Sequence, residues 1–117
     1  MQFHFTARKF KAHATLRAHA ADAVARLPKY YDGIVRGDVV LGFERSSNSI
    51  KWAEVTIHVH GTVLTSREKS DDFDKSIDLA IGKLERQLSK YKSRVRLKNK
   101  KTLRKVKEDA VSKEDEE

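Results

Sequence analysis

The chain contains no cysteine, which excludes a disulfide framework, a thiolate metal site and a cysteine nucleophile. No apolar run approaches the roughly 18 residues that a membrane span requires. The opening Met1-Gln2-Phe3-His4-Phe5-Thr6 goes straight into a strand-like alternation, without the apolar segment of a signal peptide. A soluble, cytoplasmic protein is therefore expected. No serine sits in a GxSxG elbow, there is neither a P-loop nor a GxGxxG, and no histidine pair shows HExxH spacing. Acids are also in short supply, 17 against 25 bases, for a formal net charge of +8. An excess of this size favours a polyanionic partner, and bears on association, not on fold. With 117 residues the chain suits one domain with a modest core.

Within those limits the pattern of apolar residues is informative. Phe3 and Phe5 alternate with His4 and Thr6, which predicts a short first strand with one buried face. Leu16, Ala20, Ala23, Val24 and Leu27 fall at helical spacing over 15–27. Thr15 is the expected N-cap and Pro28 the stop, because proline cannot continue helical bonding. Gly33 and Gly37 mark a loop. Val39, Leu41 and Phe43 then alternate with Asp38, Val40, Gly42 and Glu44 as a second strand, and Ser46-Ser47-Asn48-Ser49 is turn chemistry. In a third strand Ala53, Val55, Ile57 and Val59 face one way, and Trp52, Glu54, Thr56 and His58 the other. His60-Gly61 fits a tight hairpin into a fourth strand over 62–66. The order is β-α-β-β-β-α: an α+β two-layer sandwich, a four-stranded, mostly antiparallel sheet with two helices packed on one face.

The last element is a helix from about Asp71. Phe73, Ile77, Ala80, Ile81, Leu84, Leu88 and Tyr91 recur at steps of three and four, one face of a 3.6-residue period. Asp71, Asp72 and Asp74 crowd the first turn, where the helix dipole favours negative charge. On the other side Lys83, Arg86 and Lys90 line up at i, i+3 and i+7. A solvated face accounts for such a stripe in many proteins. Here the net basicity and the basic segment that follows argue equally for phosphates of a nucleic-acid backbone, with Gln87 as an added polar contact.

Other chemistry-bearing residues have plainer explanations. His58-x-His60 projects two imidazoles to one side of a strand, but a catalytic zinc needs a third ligand and an ordered second shell. No metal site and no cofactor are expected. The acids of the last helix are better explained by capping and dipole than by a carboxylate pair for Mg²⁺, so no catalytic residue is assigned and no enzyme is expected. Trp52, Tyr30 and Tyr31 are either base-stacking groups or packing residues, the latter favoured for Tyr31. Beyond Ser93 the composition shifts: Arg94 to Lys107 holds eight bases and no acid, and Glu108 to Glu117 six acids and one base. Such a segment lacks the apolar residues for a core and is expected to be mobile in isolation. The expected organisation is a domain over 1–93 and a basic-then-acidic tail over 94–117.

The run Lys83-Leu84-Glu85-Arg86-Gln87-Leu88-Ser89-Lys90 resembles the K-L-x-R-Q-L-x-K signature of the bacterial ribosome hibernation factors, the ribosome-associated inhibitor or sigma-54 modulation family. Leu16-Arg17, Asp38-Val39-Val40-Leu41, Ala53-Glu54-Val55-Thr56-Ile57-His58-Val59 and Ile77-Asp78-Leu79 agree with it in order. The resemblance covers residues 1 to about 93, and the β-α-β-β-β-α order is the family's own. It departs at Asp74, where the family often has tyrosine, and at Ala23, where lysine is common.

The resemblance implies a translation-inhibiting hibernation factor of stress and stationary phase. Such a factor would bind 16S rRNA of the small ribosomal subunit, alone or in the 70S ribosome, in the channel of mRNA and the A- and P-site tRNAs. By position, Lys83, Arg86 and Lys90 would contact rRNA, with Gln87 beside them and Arg17 and Arg26 from the first helix. Neither membrane nor small-molecule substrate is implied. The 24 residues beyond Ser93 are too few for the second domain with which long members pair two ribosomes. A short tail ending in acids resembles the inhibitor subtype. The alternatives from other classes are a free-standing double-stranded RNA-binding module and a regulatory protein-interaction module.

Overall fold

The structure, a computed structural model, describes residues 1–104, leaving aside the side chains of residues 47, 48 and 96–104. Its elements are β1 (Gln2–Ala7), α1 (Ala14–Ala25), a short 3₁₀ turn (Leu27–Lys29), β2 (Ile34–Glu44), β3 (Ser47–Val59), β4 (Thr62–Ser70) and α2 (Phe73–Arg104). The four strands form one sheet in the order β1-β2-β3-β4. β1 and β2 run parallel, as their connection through α1 requires, and the other two pairs are antiparallel. This is the α+β sandwich that the alternation predicts.

Both helices lie on the face that carries Val39 and Leu41 of β2 and Ala53, Val55 and Ile57 of β3, all fully buried. Ala20, Ala23 and Val24 of α1, and Ile77, Ala80, Ile81, Leu84 and Leu88 of α2, close over them. Full burial of a residue such as Leu84 contributes roughly 1.5–3 kcal/mol, and this stripe sets how α2 is rotated on the sheet. At one end Phe10 stacks on Phe73 (4.9 Å between centroids) and Phe43 meets both edge-on at 5.2 and 5.3 Å.

Several boundaries move from those expected. α1 begins at Ala14 with His13 as its N-cap and no side-chain cap bond, so Thr15 lies inside the first turn. It ends at Ala25, three residues before Pro28, which sits within the 3₁₀ turn. Gly37 is not in a loop but inside β2, opposite Phe3 and Ile57. A Cβ there would come within 2.8 Å of Val24 Cγ1, so glycine at this position lets α1 pack close to the sheet. The β2–β3 turn is confined to Arg45 and Ser46, and β4 runs on to Ser70.

α2 starts from a serine pair. The Ser70 hydroxyl accepts the Asp72 N–H (3.2 Å) and lies 2.6 Å from the Ser76 hydroxyl, which donates to the Lys51 carbonyl at 2.8 Å. The Asp72 carbonyl takes the first helical bond, from the Ser76 N–H. Among the residues of α2 whose side chains are described, Leu88 is the last buried one and Tyr91 is half-buried, yet the helix continues past Ser93 to Arg104. Thirty-two residues span about 48 Å at 1.5 Å per residue, nearly the 53 Å long axis of the molecule. The part of the tail reading that falls on 105–117 lies outside the described residues.

Candidate nucleic-acid interface

Helical geometry turns about 100° per residue. With Leu84 against the sheet, Lys83, Gln87, Lys90 and Arg94 fall on one flank of α2, Arg86 near the crest, and Asp78 and Glu85 on the other flank. The contacts identify the flanks. Lys83 Nζ pairs with Glu68 of β4 at 2.6 Å, and the Gln87 amide donates to the Thr65 carbonyl of β4 at 3.3 Å. On the opposite side Asp78 meets His19 of α1 at 2.8 Å. The cationic flank therefore overhangs the β4 edge, and the acidic flank faces α1.

Arg86 and Lys90 are exposed, and neither has an ion-pair partner among the described residues. Lys83 is engaged by Glu68, but a surface ion pair contributes only about 0.2–1 kcal/mol, so a phosphate can replace the carboxylate. Gln87 is held by the strand and not free. Lys75, further up the helix, is taken by Asp71 at 3.2 Å, and the hydrogen bond from Lys75 holds the Asp71 carboxyl below its ordinary range.

The two arginines of α1 are not gathered with these residues. Arg17 lies over the Phe5 ring of β1 (5.3 Å), on the side of α1 away from α2. Arg26 is exposed at the C-cap of α1, seven residues on from His19 and so on the side of α1 that faces α2. The face that the structure builds is thus a flank of α2, with Arg26 across the helix on its α1 side and Arg17 apart.

Arg94 extends the flank and was missed as a site residue. Its signal is the i+4 step from Lys90, readable only once the helix is known to pass Ser93. Tyr91 steadies this stretch: its hydroxyl donates to the His60 carbonyl at 3.1 Å and its ring meets Tyr31 edge-on at 5.3 Å. Burial and the neighbouring Tyr31 push its phenol up, with Arg94 opposing, which keeps it a neutral donor. Tyr31 is therefore a packing residue. Trp52 is too, being only 7% exposed. Of the His58-x-His60 pair, His58 binds Asp38 (3.2 Å) and His60 lies in the hairpin turn, exposed.

Comparison with known proteins fits this geometry. Residues 3–96 match the family model described as sigma 54 modulation protein / S30EA ribosomal protein. A ribosome hibernation promotion factor of Staphylococcus aureus (strain COL) is 32% identical over 84 residues, covering 72% of this chain and 44% of that protein. The chain thus spans about half the length of that curated relative. Among solved structures, a ribosomal subunit interface protein from Coxiella burnetii aligns with TM-score 0.72 and 26% identity, over 80% of this chain and 99% of the other. The N-terminal domain of Thermus thermophilus Protein Y aligns with TM-score 0.69 and 25% identity, over 78% and 99%.

Proposed function

Because this chain belongs to the sigma 54 modulation protein / S30EA ribosomal protein family, we propose that it is a ribosome hibernation factor that silences translation by occupying the small subunit. The flank of α2 meets the phosphates of 16S rRNA, with Lys83, Arg86, Lys90 and Arg94 as the cations. Arg26 adds a contact from α1, and Gln87 and Arg17 act by holding structure and local charge. The body of the sandwich fills the channel that mRNA and the A- and P-site tRNAs would use. Inhibition is steric and needs no chemical step. Lys83 of the cationic flank leaves its carboxylate for a phosphate at small cost, and the release of counterions from the rRNA supplies affinity. The tail over 94–117 continues along the mRNA path from the end of the domain, in the cytoplasm where ribosomes work.

The observation that carries this reading is the alignment of four cations along the flank and crest of a single helix, three of them without an ion-pair partner among the described residues. Sucrose-gradient sedimentation tests it. The wild-type protein should travel with 30S and 70S particles in low salt, and the triple variant Lys83→Glu, Arg86→Glu, Lys90→Glu should stay at the top. Wild-type protein that remains at the top in low salt would sink the ribosome reading.

A further inference from the structure

The helix-free face of the sheet carries a second cationic centre that the α2 flank does not account for. Near the β2–β3 turn, Arg8, Lys9, Arg45 and Arg67 line one cleft together with Trp52 and Gly42. The indole is seated tightly. A Cβ at Gly42 would lie 2.4 Å from its Cζ2, and its N–H donates to the Phe43 carbonyl at 3.3 Å. The Arg67 guanidinium lies 4.1 Å over the ring and Arg8 6.0 Å from it. The ring is thus covered and does not offer a free stacking surface for a base. An indole face seats a guanidinium, and a seated guanidinium has fewer orientations in which to offer its N–H edges to a ligand.

The acids around the cleft leave it cationic. Glu44 also lines it but is held by Lys69, whose hydrogen bond keeps that carboxyl below its ordinary range. Glu54 approaches Arg67 only at 4.0 Å. Lys9 supplies an independent observation. Its backbone is in the left-handed region (φ 63°), which a lysine enters at a cost and a glycine does not. Lys9 is exposed, so packing does not explain why a side chain is kept on a strained backbone at the mouth of a cationic cleft.

We propose that this cleft is a phosphate-binding site, taking neighbouring phosphate groups of an RNA strand or of a free oligophosphate, on the face of the molecule opposite its helices. Arg67 and Arg8 receive one phosphate at the Trp52 seat, and Lys9 and Arg45 receive the next at the rim. The site is separate from the α2 flank and does not depend on it.

Trp52 is the only tryptophan of the chain, so its indole N–H resonance and its fluorescence report on this cleft. The full chain is titrated in low salt with inorganic triphosphate in one arm and a single-stranded uridine pentamer in the other. A saturable change is expected. Lys9→Gly, which relieves the backbone, should keep or raise the Tm while weakening binding about fivefold to tenfold, the loss of one solvent-exposed hydrogen bond. Arg45→Ala, at an exposed turn, should weaken it similarly. The triple glutamate variant of the α2 flank should leave it intact, which separates failure here from failure of the ribosome reading. Tighter binding of the pentamer assigns the site to a strand, and tighter binding of triphosphate assigns it to a free oligophosphate; both uphold it. No saturable change with either probe, a change untouched by both single variants, or one lost in the triple variant overturns the site.

Discussion

Lys83 and Glu68 form a 2.6 Å pair across α2 and β4, which makes Glu68 a competitor of any phosphate that approaches Lys83. Glu68→Gln should therefore tighten binding to an RNA fragment, by about 1.5- to 5-fold for a surface pair of this kind. Fluorescence anisotropy would read it, and weaker binding by the variant would contradict the competition. The alignment of Lys83, Arg86 and Lys90 was legible in the sequence because helical spacing is a property of one element. The Glu68 pairing was not, because it depends on how α2 lies across a strand fifteen residues earlier in the chain. Arg17 shows the same limit: its residue type suits a phosphate, but the turn of α1 aims it at Phe5.

At the scale of elements, apolar periodicity gave the number, type and order of strands and helices, while the ends followed from contacts it does not encode. Thr15 is a good capping residue by type, yet the chain enters α1 at His13 and leaves the first turn without a side-chain cap. Gly37 looks like a loop residue until Val24 is packed on it. α2 outlasts its apolar stripe because nothing in the basic segment breaks a helix, so Arg94 joins the flank. Two truncations then act in opposite directions. Ending the chain after Ser93 removes nine bases and six acids, whereas ending it after Arg104 removes three bases and the same six acids. The shorter chain should bind RNA more weakly and with a shallower salt dependence than the full chain, and the longer one more tightly and more steeply. Equal salt slopes for the two would show that the segment 94–104 does not touch the polyanion.

For the molecule as a whole, the alternation in β3 assigned both sheet faces correctly but said nothing of what covers the helix-free one. Trp52 is on the predicted side, yet it is buried there, under arginines from β4 and from beyond β1. On the same face Asp38 joins β2 to β3 by accepting from Arg36 (2.9 Å) and facing His58 (3.2 Å). Partial burial alone would raise the Asp38 carboxyl, but the hydrogen bonds from Arg36 and His58 outweigh it and the net shift is downward. A carboxyl depressed in the folded state stabilises fully above its unfolded pKa, about 4, and that contribution is lost as pH falls through the lower folded value. The stability difference between wild type and Asp38→Asn should thus be present at pH 7 and shrink below about pH 4. Urea unfolding across that range checks it, and a difference that holds constant into acid would show that the charge of Asp38 plays no part.

The bond from Gln87 to the Thr65 carbonyl has a consequence for how copies of this protein meet. β4 is an outer strand, and outer strands present a row of unpaired main-chain groups to which another chain can add. Gln87 fills one acceptor in that row from above, and the neighbouring Lys83 crowds the same border with positive charge. The segment that gives the chain its cationic flank therefore also guards the sheet edge against added strands, so variants made to weaken that charge will have to be examined for aggregation.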